Sequence, residues 1–228
     1  MAARAVFFDF GGTLARGEEL LHEPWRPWVR AARNLGIDLG EAEIRRVNEE
    51  ADALYLGEIY RYHGRTEEFW KLRDMWAIDR LGVTSQRQEL FDAVQAIFND
   101  YSLIHVYPET VGVLREAKSR GHHLGVISNF NDTLLKVLRF HGLDAFFDSV
   151  TYSQAVGVPK PDPKIFETAL SEAGIPADRS LHVGDSWECD YLGAIGCGMH
   201  AVWLNRGRDA PPSPCREIRD LTGLLPLI

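Results

Sequence analysis

The stretch Ala5-Val-Phe-Phe-Asp9-Phe-Gly-Gly-Thr13 decides the fold. Four apolar, β-prone residues run without polar alternation into a carboxylate and a glycine pair. An uninterrupted apolar run of this length reads as a strand buried on both faces, feeding a tight loop.

The same rhythm returns after Pro108. A helix over 108–120 stops at Gly121, and His122–Ser128 reads as a second strand. A helix over 132–141 precedes a strand at Phe146–Val150, and Pro163 opens a helix to Ala173 with Asp162 as its cap. Ser180–Asp185 is a further strand, 188–196 a helix and Met199–Leu204 a last strand. Strands alternating with helices build parallel βαβ units. The fold class is therefore α/β, a doubly wound parallel sheet of Rossmann-like type.

Between the first strand and the rest lies a segment of different texture. Trp25, Trp28, Val29, Ala32 and Leu35 recur at helical spacing, as do Ile44, Val47, Ala51, Leu54 and Ile59. Phe69, Leu72 and Trp76 mark a third helix. Leu90, Val94, Ile97 and Tyr101 mark a fourth, opened by Ser85 and Gln88 in the spacing of a capping box. Four amphipathic helices with no strand among them form a small bundle. The expected division is a core of residues 1–16 and 103–228 with an inserted helical cap at 17–102, whose tryptophans form its own interior.

Composition narrows the function classes. The 228 residues are 45% hydrophobic and 25% charged, enough for a packed core and a polar surface. Lys and Arg number 25 against 33 Asp and Glu, a net charge of −8 that is a poor global field for nucleic acid or an anionic membrane. No window carries the roughly 18 apolar residues of a spanning helix. The N-terminal run is too short for a signal peptide. Cys189, Cys197 and Cys215 have no metal-ligand spacing and read as thiols of a reducing compartment. The expected location is the cytoplasm, as a monomer or homodimer.

In open α/β sheets ligands bind outside the carboxyl ends of the strands. Four polar places fall there: Asp9–Thr13, Ser128-Asn129, the loop up to Lys160, and Gly184–Asp190. Taken singly, each has a structural reading as a turn, a helix cap or a solvated lysine. Jointly they bring Asp9, Asp185 and Asp190 to one crevice, where the carboxylates repel unless a cation lies between them. Three acids without His or Cys suit a hard divalent ion, Mg²⁺ first. Gly12, Thr13, Ser128 and Lys160 then stand as donors around an anion. A metal, an anion cradle and an available carboxylate suit phosphoryl transfer to an aspartate.

This order and spacing resemble the haloacid dehalogenase-like hydrolase superfamily, with its α-helical cap between the first two motifs. Asp9 and Thr13 match the strand-end Asp-x-Asp-x-Thr motif, and Ser128 the second motif. Lys160 stands in the family's Lys-Pro-Asp-Pro setting, and Gly184, Asp185 and Asp190 match Gly-Asp-x-x-x-x-Asp. The resemblance implies Asp9 as nucleophile and Mg²⁺ held by Asp9, the Gly11 carbonyl and Asp185. Asp190 supports the ion or steadies Lys160. It also implies that Ser128 and Lys160 grip phosphoryl oxygens of a small phosphorylated substrate, with Asn129 contributing its amide.

One departure stands out. The family's phosphatases carry a second Asp two residues after the nucleophile to protonate the leaving group, and this chain has Gly11. General acid catalysis contributes about 10²–10⁴-fold. Three readings are compatible with its loss: a phosphatase acting on a good leaving group or borrowing another acid, a dehalogenase or phosphonate hydrolase, and a low-activity or binding-only member. The paired acids of the fourth motif set the sequence apart from the metal-free dehalogenases of the resemblance. Lys71, the sole lysine of the cap segment 17–102, reads as a surface residue rather than a Schiff-base former.

Overall fold

The computed structural model describes residues 4–17, 20–21, 23–207 and 214–228. The stretch Ala210–Pro214, which reads in the sequence as a late turn or short linker, lies outside them except for Pro214. The chain divides into two compact units, residues 1–16 with 106–228, and residues 17–105.

The first unit contains β1 (Ala5–Phe8), β2 (Ala15–Arg16) and, at its boundary, β3 (His105–Val106). It continues through β4 (His123–Ser128), β5 (Ser149–Tyr152), β6 (Ser180–Gly184), β7 (His200–Leu204) and β8 (Glu217–Ile218). Six of these form one sheet in the order β5-β4-β1-β6-β7-β8, with every pair parallel. The order reverses at β1, so the crevice beside its carboxyl end is the topological switch point. Phe8 is in register with Val126 on one side and Val183 on the other. Asp9, Ser128 and Asp185 therefore leave the sheet at its same edge.

β1 and β6 are buried along their whole length; β1 is an unbroken apolar run, while β6 buries Ser180 and His182 among its apolar residues. Phe7, Ile127, Ile165, Phe166 and Ala169 share one core cluster, in which the helix Pro163–Ala173 covers a sheet face. That helix starts as its sequence demands. Asp162 accepts the Lys164 N–H at 2.9 Å, and Pro163 fills the first turn, where no amide bond is lost.

The second unit holds α1 (Arg26–Leu35), α2 (Glu41–Tyr55), α3 (Thr66–Arg80) and α4 (Arg87–Phe98), with a 3₁₀ segment at Leu56–Tyr62. Trp28, Ile44, Val47, Ala51, Ile78, Leu90 and Val94 form its core, flanked by Trp25 and Trp76. Beneath Trp28 lies a buried polar knot. Arg73 donates to Asp52, Asn48 and Asp74, and Gln95 donates to Asp74. Its charge is matched within the knot, as a buried guanidinium requires.

Several local expectations are corrected. Ser85 and Gln88 form no capping box: Gln86 precedes α4 at φ 56° and no side chain caps the helix. The second helical stripe overreaches, since Leu54 is 61% exposed and Ile59 lies in the 3₁₀ segment. Tyr101 falls beyond α4, in a separate 3₁₀ turn. The third sheet strand begins at Ser149 rather than Phe146, because Asp144–Phe146 closes a 3₁₀ turn first. The helix expected at 188–196 starts as a π-helical turn, Trp187–Leu192. Two-residue β8 and the 3₁₀ segment Leu221–Leu227 are too short and irregular to carry a period. Lys71 is exposed on α3, in agreement with its reading as a surface residue.

Candidate active site

Asp9 follows β1 directly, its backbone N–H held by the Val183 carbonyl at 3.0 Å. The parallel pairing thus fixes where the carboxylate emerges. Only 8% of the residue is exposed.

Lys160 reaches it from the loop after β5. Its ammonium is buried and spends all three protons, on Asp9 Oδ1 at 2.8 Å, Asp190 Oδ1 at 2.6 Å and the Ile127 carbonyl at 2.8 Å. Asn129 holds this loop in place. Its Nδ2 donates to the Lys160 carbonyl at 3.0 Å and its Oδ1 accepts the Lys160 N–H at 2.6 Å. The Asn129 amide is thus engaged with the Lys160 backbone. Ser128, at the end of β4, is buried next to it.

Asp190 comes from the π-helical turn and accepts at both oxygens. Oδ1 takes Lys160 and His182 Nε2, the latter at 3.0 Å, and Oδ2 takes the Ser186 N–H at 2.9 Å. A side chain at Gly184 would place its Cβ 2.2 Å from Asp190 Cγ. The glycine of the Gly-Asp pair is therefore what lets Asp190 lie against the strand. His182 is fully buried and its Nδ1 meets no hydrogen-bond partner. Nε2 donates to Asp190, and the ring meets Phe166 edge-on with centroids 5.5 Å apart.

Asp185 is half-buried, and its backbone carbonyl accepts Trp203 Nε1 at 2.9 Å. Trp187 stacks on Tyr191 at 4.7 Å and meets Trp203 edge-on at 5.4 Å, so its role here is packing along the turn. Gly12 lies opposite Asp185. It adopts φ +74°, and a Cβ there would sit 2.4 Å from Asp185 Oδ2. Both the left-handed backbone and the close approach call for glycine. Thr13 is fully buried with an unpartnered hydroxyl, while its carbonyl and that of Gly12 bind Arg206.

Asp9, Asp185 and Asp190 each bring a carboxylate oxygen within 4.8 Å of the other two. Against three carboxylates the cluster holds one ammonium. The electrostatics record the imbalance. Burial raises the Asp9 carboxyl above its ordinary value, helped by the Asp190 charge and opposed by Lys160. Burial also works on Asp190, but the Lys160 charge and the His182 hydrogen bond outweigh it and hold that carboxyl well below the usual range. Asp190 and Asp9 in turn overcome the burial of Lys160 and keep its ammonium charged.

The structure thus gathers Asp9, Gly12, Thr13, Ser128, Asn129, Lys160, Asp185 and Asp190, with Gly11 in the loop between Asp9 and Gly12. Sequence reasoning missed His182, Trp203 and Arg206. A histidine inside an apolar strand was the available signal for the first, since such a ring needs a buried partner. Nothing local marked the other two. His123 bonds Ser149 Oγ at 3.0 Å at the opposite end of β4.

The family model for haloacid dehalogenase-like hydrolases matches residues 3–198. The chain belongs to this family of hydrolases. A human relative, haloacid dehalogenase-like hydrolase domain-containing protein 3, is 31% identical over 87% of this chain and 80% of its own. The glyceraldehyde 3-phosphate phosphatase of Methanothermobacter thermautotrophicus is 41% identical over 89% of this chain and 85% of its own. Among solved structures, a 2-haloacid dehalogenase from Pseudomonas syringae pv. Tomato superposes with a TM-score of 0.73 at 25% identity, covering 100% of this chain and 97% of that one. No helix of the described residues is long and apolar enough to cross a membrane.

Proposed function

We propose that the protein is a Mg²⁺-dependent phosphatase of small phosphorylated metabolites, with Asp9 as the nucleophile. The observation that carries this reading is the buried contact of Lys160 with both Asp9 and Asp190, beside the half-buried Asp185. The phosphatase relative supports it.

An Asp9 carboxylate oxygen attacks phosphorus as the bond to the leaving oxygen breaks, giving an aspartyl-phosphate. Water then attacks that phosphorus and releases phosphate and the free carboxylate. Lys160 orients Asp9 and offsets charge on the phosphoryl oxygens, and Ser128 and the loop Gly12-Thr13 bind them. Asn129 serves by fixing the Lys160 backbone, and Asp190 by fixing its ammonium.

The donor set fits a hard divalent cation: carboxylates of Asp9 and Asp185, the Gly11 carbonyl, and Asp190 behind them, with the His182 imidazole spent on a hydrogen bond to Asp190. Bound there, Mg²⁺ would neutralise the clustered carboxylates and the phosphoryl charge. Gly11 supplies no proton, so the leaving oxygen must be stable as an anion or take its proton from water. We assign residues 17–102 the part of the family's substrate-selecting cap on a core of 1–16 and 103–228. The protein acts in the cytoplasm as a monomer or homodimer.

The test is a panel of aryl phosphate, alkyl phosphates and glyceraldehyde 3-phosphate, assayed with Mg²⁺ and with EDTA, beside a 2-haloacid. Hydrolysis that needs Mg²⁺ and disappears in Asp9→Asn is the expected result. Activity that survives EDTA overturns the metal assignment, and halide release from the haloacid overturns the phosphatase reading.

A further inference from the structure

We propose that Arg206 is a positioning residue, which acts on the reaction by setting the backbone of the loop that carries Asp9. Its guanidinium has four partners. Nε donates to the Gly12 carbonyl at 3.2 Å, Nη2 to the Thr13 carbonyl at 2.9 Å and Nη1 to Glu109 Oε1 at 2.7 Å. The guanidinium carbon stacks 3.5 Å from the centroid of the Tyr107 ring. Both members of the Arg206–Glu109 pair are largely buried, with 18% and 16% of their side chains exposed. The cation is therefore held in one orientation rather than sampling solvent.

The contact is informative because the two carbonyls are consecutive. In an extended chain, successive carbonyls point to opposite sides. Here both turn to one guanidinium, an arrangement that goes with the left-handed conformation of Gly12. Each peptide is planar and trans, so its N–H points away from its carbonyl. Arg206 thus directs the N–H groups of Thr13 and Leu14 to the far side of the loop. The Leu14 N–H is spent on the Phe10 carbonyl at 2.9 Å. The Thr13 N–H is the donor this loop presents opposite Arg206.

Gly12 is also the residue against which the Asp185 carboxylate lies. A glycine has the least intrinsic resistance to rotation of its flanking peptides. Its conformation must be imposed from outside, and the planar fork of Arg206 imposes it at two points. A lysine at this place would bring the charge without the fork. The electrostatic role of a remote cation and the geometric role of a two-point clamp are therefore separable by substitution.

The kinetic arm of the test rests on the phosphatase reading above; the structural arm does not. Arg206→Met and Arg206→Lys are compared with the unaltered protein by hydrogen exchange and by aryl phosphate hydrolysis. Both variants are expected to exchange peptides spanning residues 8–16 at least ~10-fold faster, while β4 and β6 keep their protection. Their kcat/KM should fall roughly 10- to 100-fold, mainly in kcat, as for a reacting group displaced by a fraction of an ångström. Glu109→Gln, which loosens the fork without removing it, should give a smaller change of the same kind.

Unchanged exchange over residues 8–16 overturns the proposal. So does faster exchange spread evenly over the whole sheet, which would mark a role in stability alone. Full activity in Arg206→Lys would replace the clamp by simple charge. Should the unaltered protein hydrolyse no phosphate ester, the phosphatase reading fails and the exchange experiment still decides the clamp. Should Arg206→Met not fold, Glu109→Gln supplies both measurements.

Discussion

Asn129 holds Lys160 by both ends of one peptide-like amide: Nδ2 meets the Lys160 carbonyl and Oδ1 meets the Lys160 N–H. The lysine that touches Asp9 is thus fixed at its backbone as well as at its ammonium. Asn129→Leu deletes both bonds at little change in volume. We expect a stability loss of about 1–2 kcal/mol, given a net value of about 1 kcal/mol for each bond. Turnover should drop by more than this implies for folding, because the Lys160 loop is released. Urea unfolding and steady-state kinetics on one preparation check the pair.

Two glycines separate strain from crowding. Gly12 and Gly36 both have positive φ, +74° and +69°, but a Cβ at Gly36 meets nothing within 4 Å while one at Gly12 strikes Asp185. Gly36→Ala should cost about 1 kcal/mol in stability and leave turnover intact. Gly12→Ala carries the same backbone cost and displaces the Asp185 carboxylate, so activity should fall at least ~10²-fold. Equal activity in both variants would show that Asp185 yields without consequence.

Asp190 links the site to acid stability. Its carboxyl is held below the ordinary range, so folding gains from its ionisation. That contribution is fully present above the unfolded value of about 4 and is lost as pH falls toward the lower folded value. Asp190→Asn leaves the buried Lys160 ammonium without its closest carboxylate, at about 3–5 kcal/mol near neutral pH. The gap between the variant and the unaltered protein should narrow below pH ~4. Denaturant midpoints at pH 7 and pH 3 measure it; a gap that stays constant would place the stabilising contact elsewhere.

Gly11 sits at the position where the phosphatases of the resemblance carry an acid. Unlike Gly12, it is not at positive φ, so an aspartate is admissible on backbone grounds. Gly11→Asp should raise turnover of alkyl phosphates by roughly 10-fold or more, and of aryl phosphates much less, since only the alkoxide needs a proton. No difference between the two substrate types would mean that leaving-group protonation does not limit the rate.

The legible parts of the molecule were those with a short period or a chain-order signature. Unbroken apolar runs gave the buried parallel strands, and the helical stripe of Trp28, Ile44 and Val94 gave a separate core. The cluster of Asp9, Lys160, Asp185 and Asp190 was legible because each lies at or near a strand's carboxyl end, where parallel topology brings chain segments together. His182 and Arg206 were not. Their function lies in hydrogen bonds to Asp190 and to the Gly12 and Thr13 carbonyls, partners set by three-dimensional proximity across 8 and more than 190 residues of chain. The missing capping box and the π-helical turn show the same limit at short range. There tertiary packing overrode the local pattern.

The central position of β1 has a consequence for biosynthesis. The residue that would attack phosphorus is made before the helical segment, yet both strands that flank it start only at His123 and Ser180. The helical segment can complete its own core well before that, whereas Asp9 waits until Lys160, Asp185 and Asp190 have followed it. A nascent chain halted before residue 180 therefore holds Asp9 without Asp185 and Asp190, and the full cluster exists only once the turn that carries Asp190 has been made.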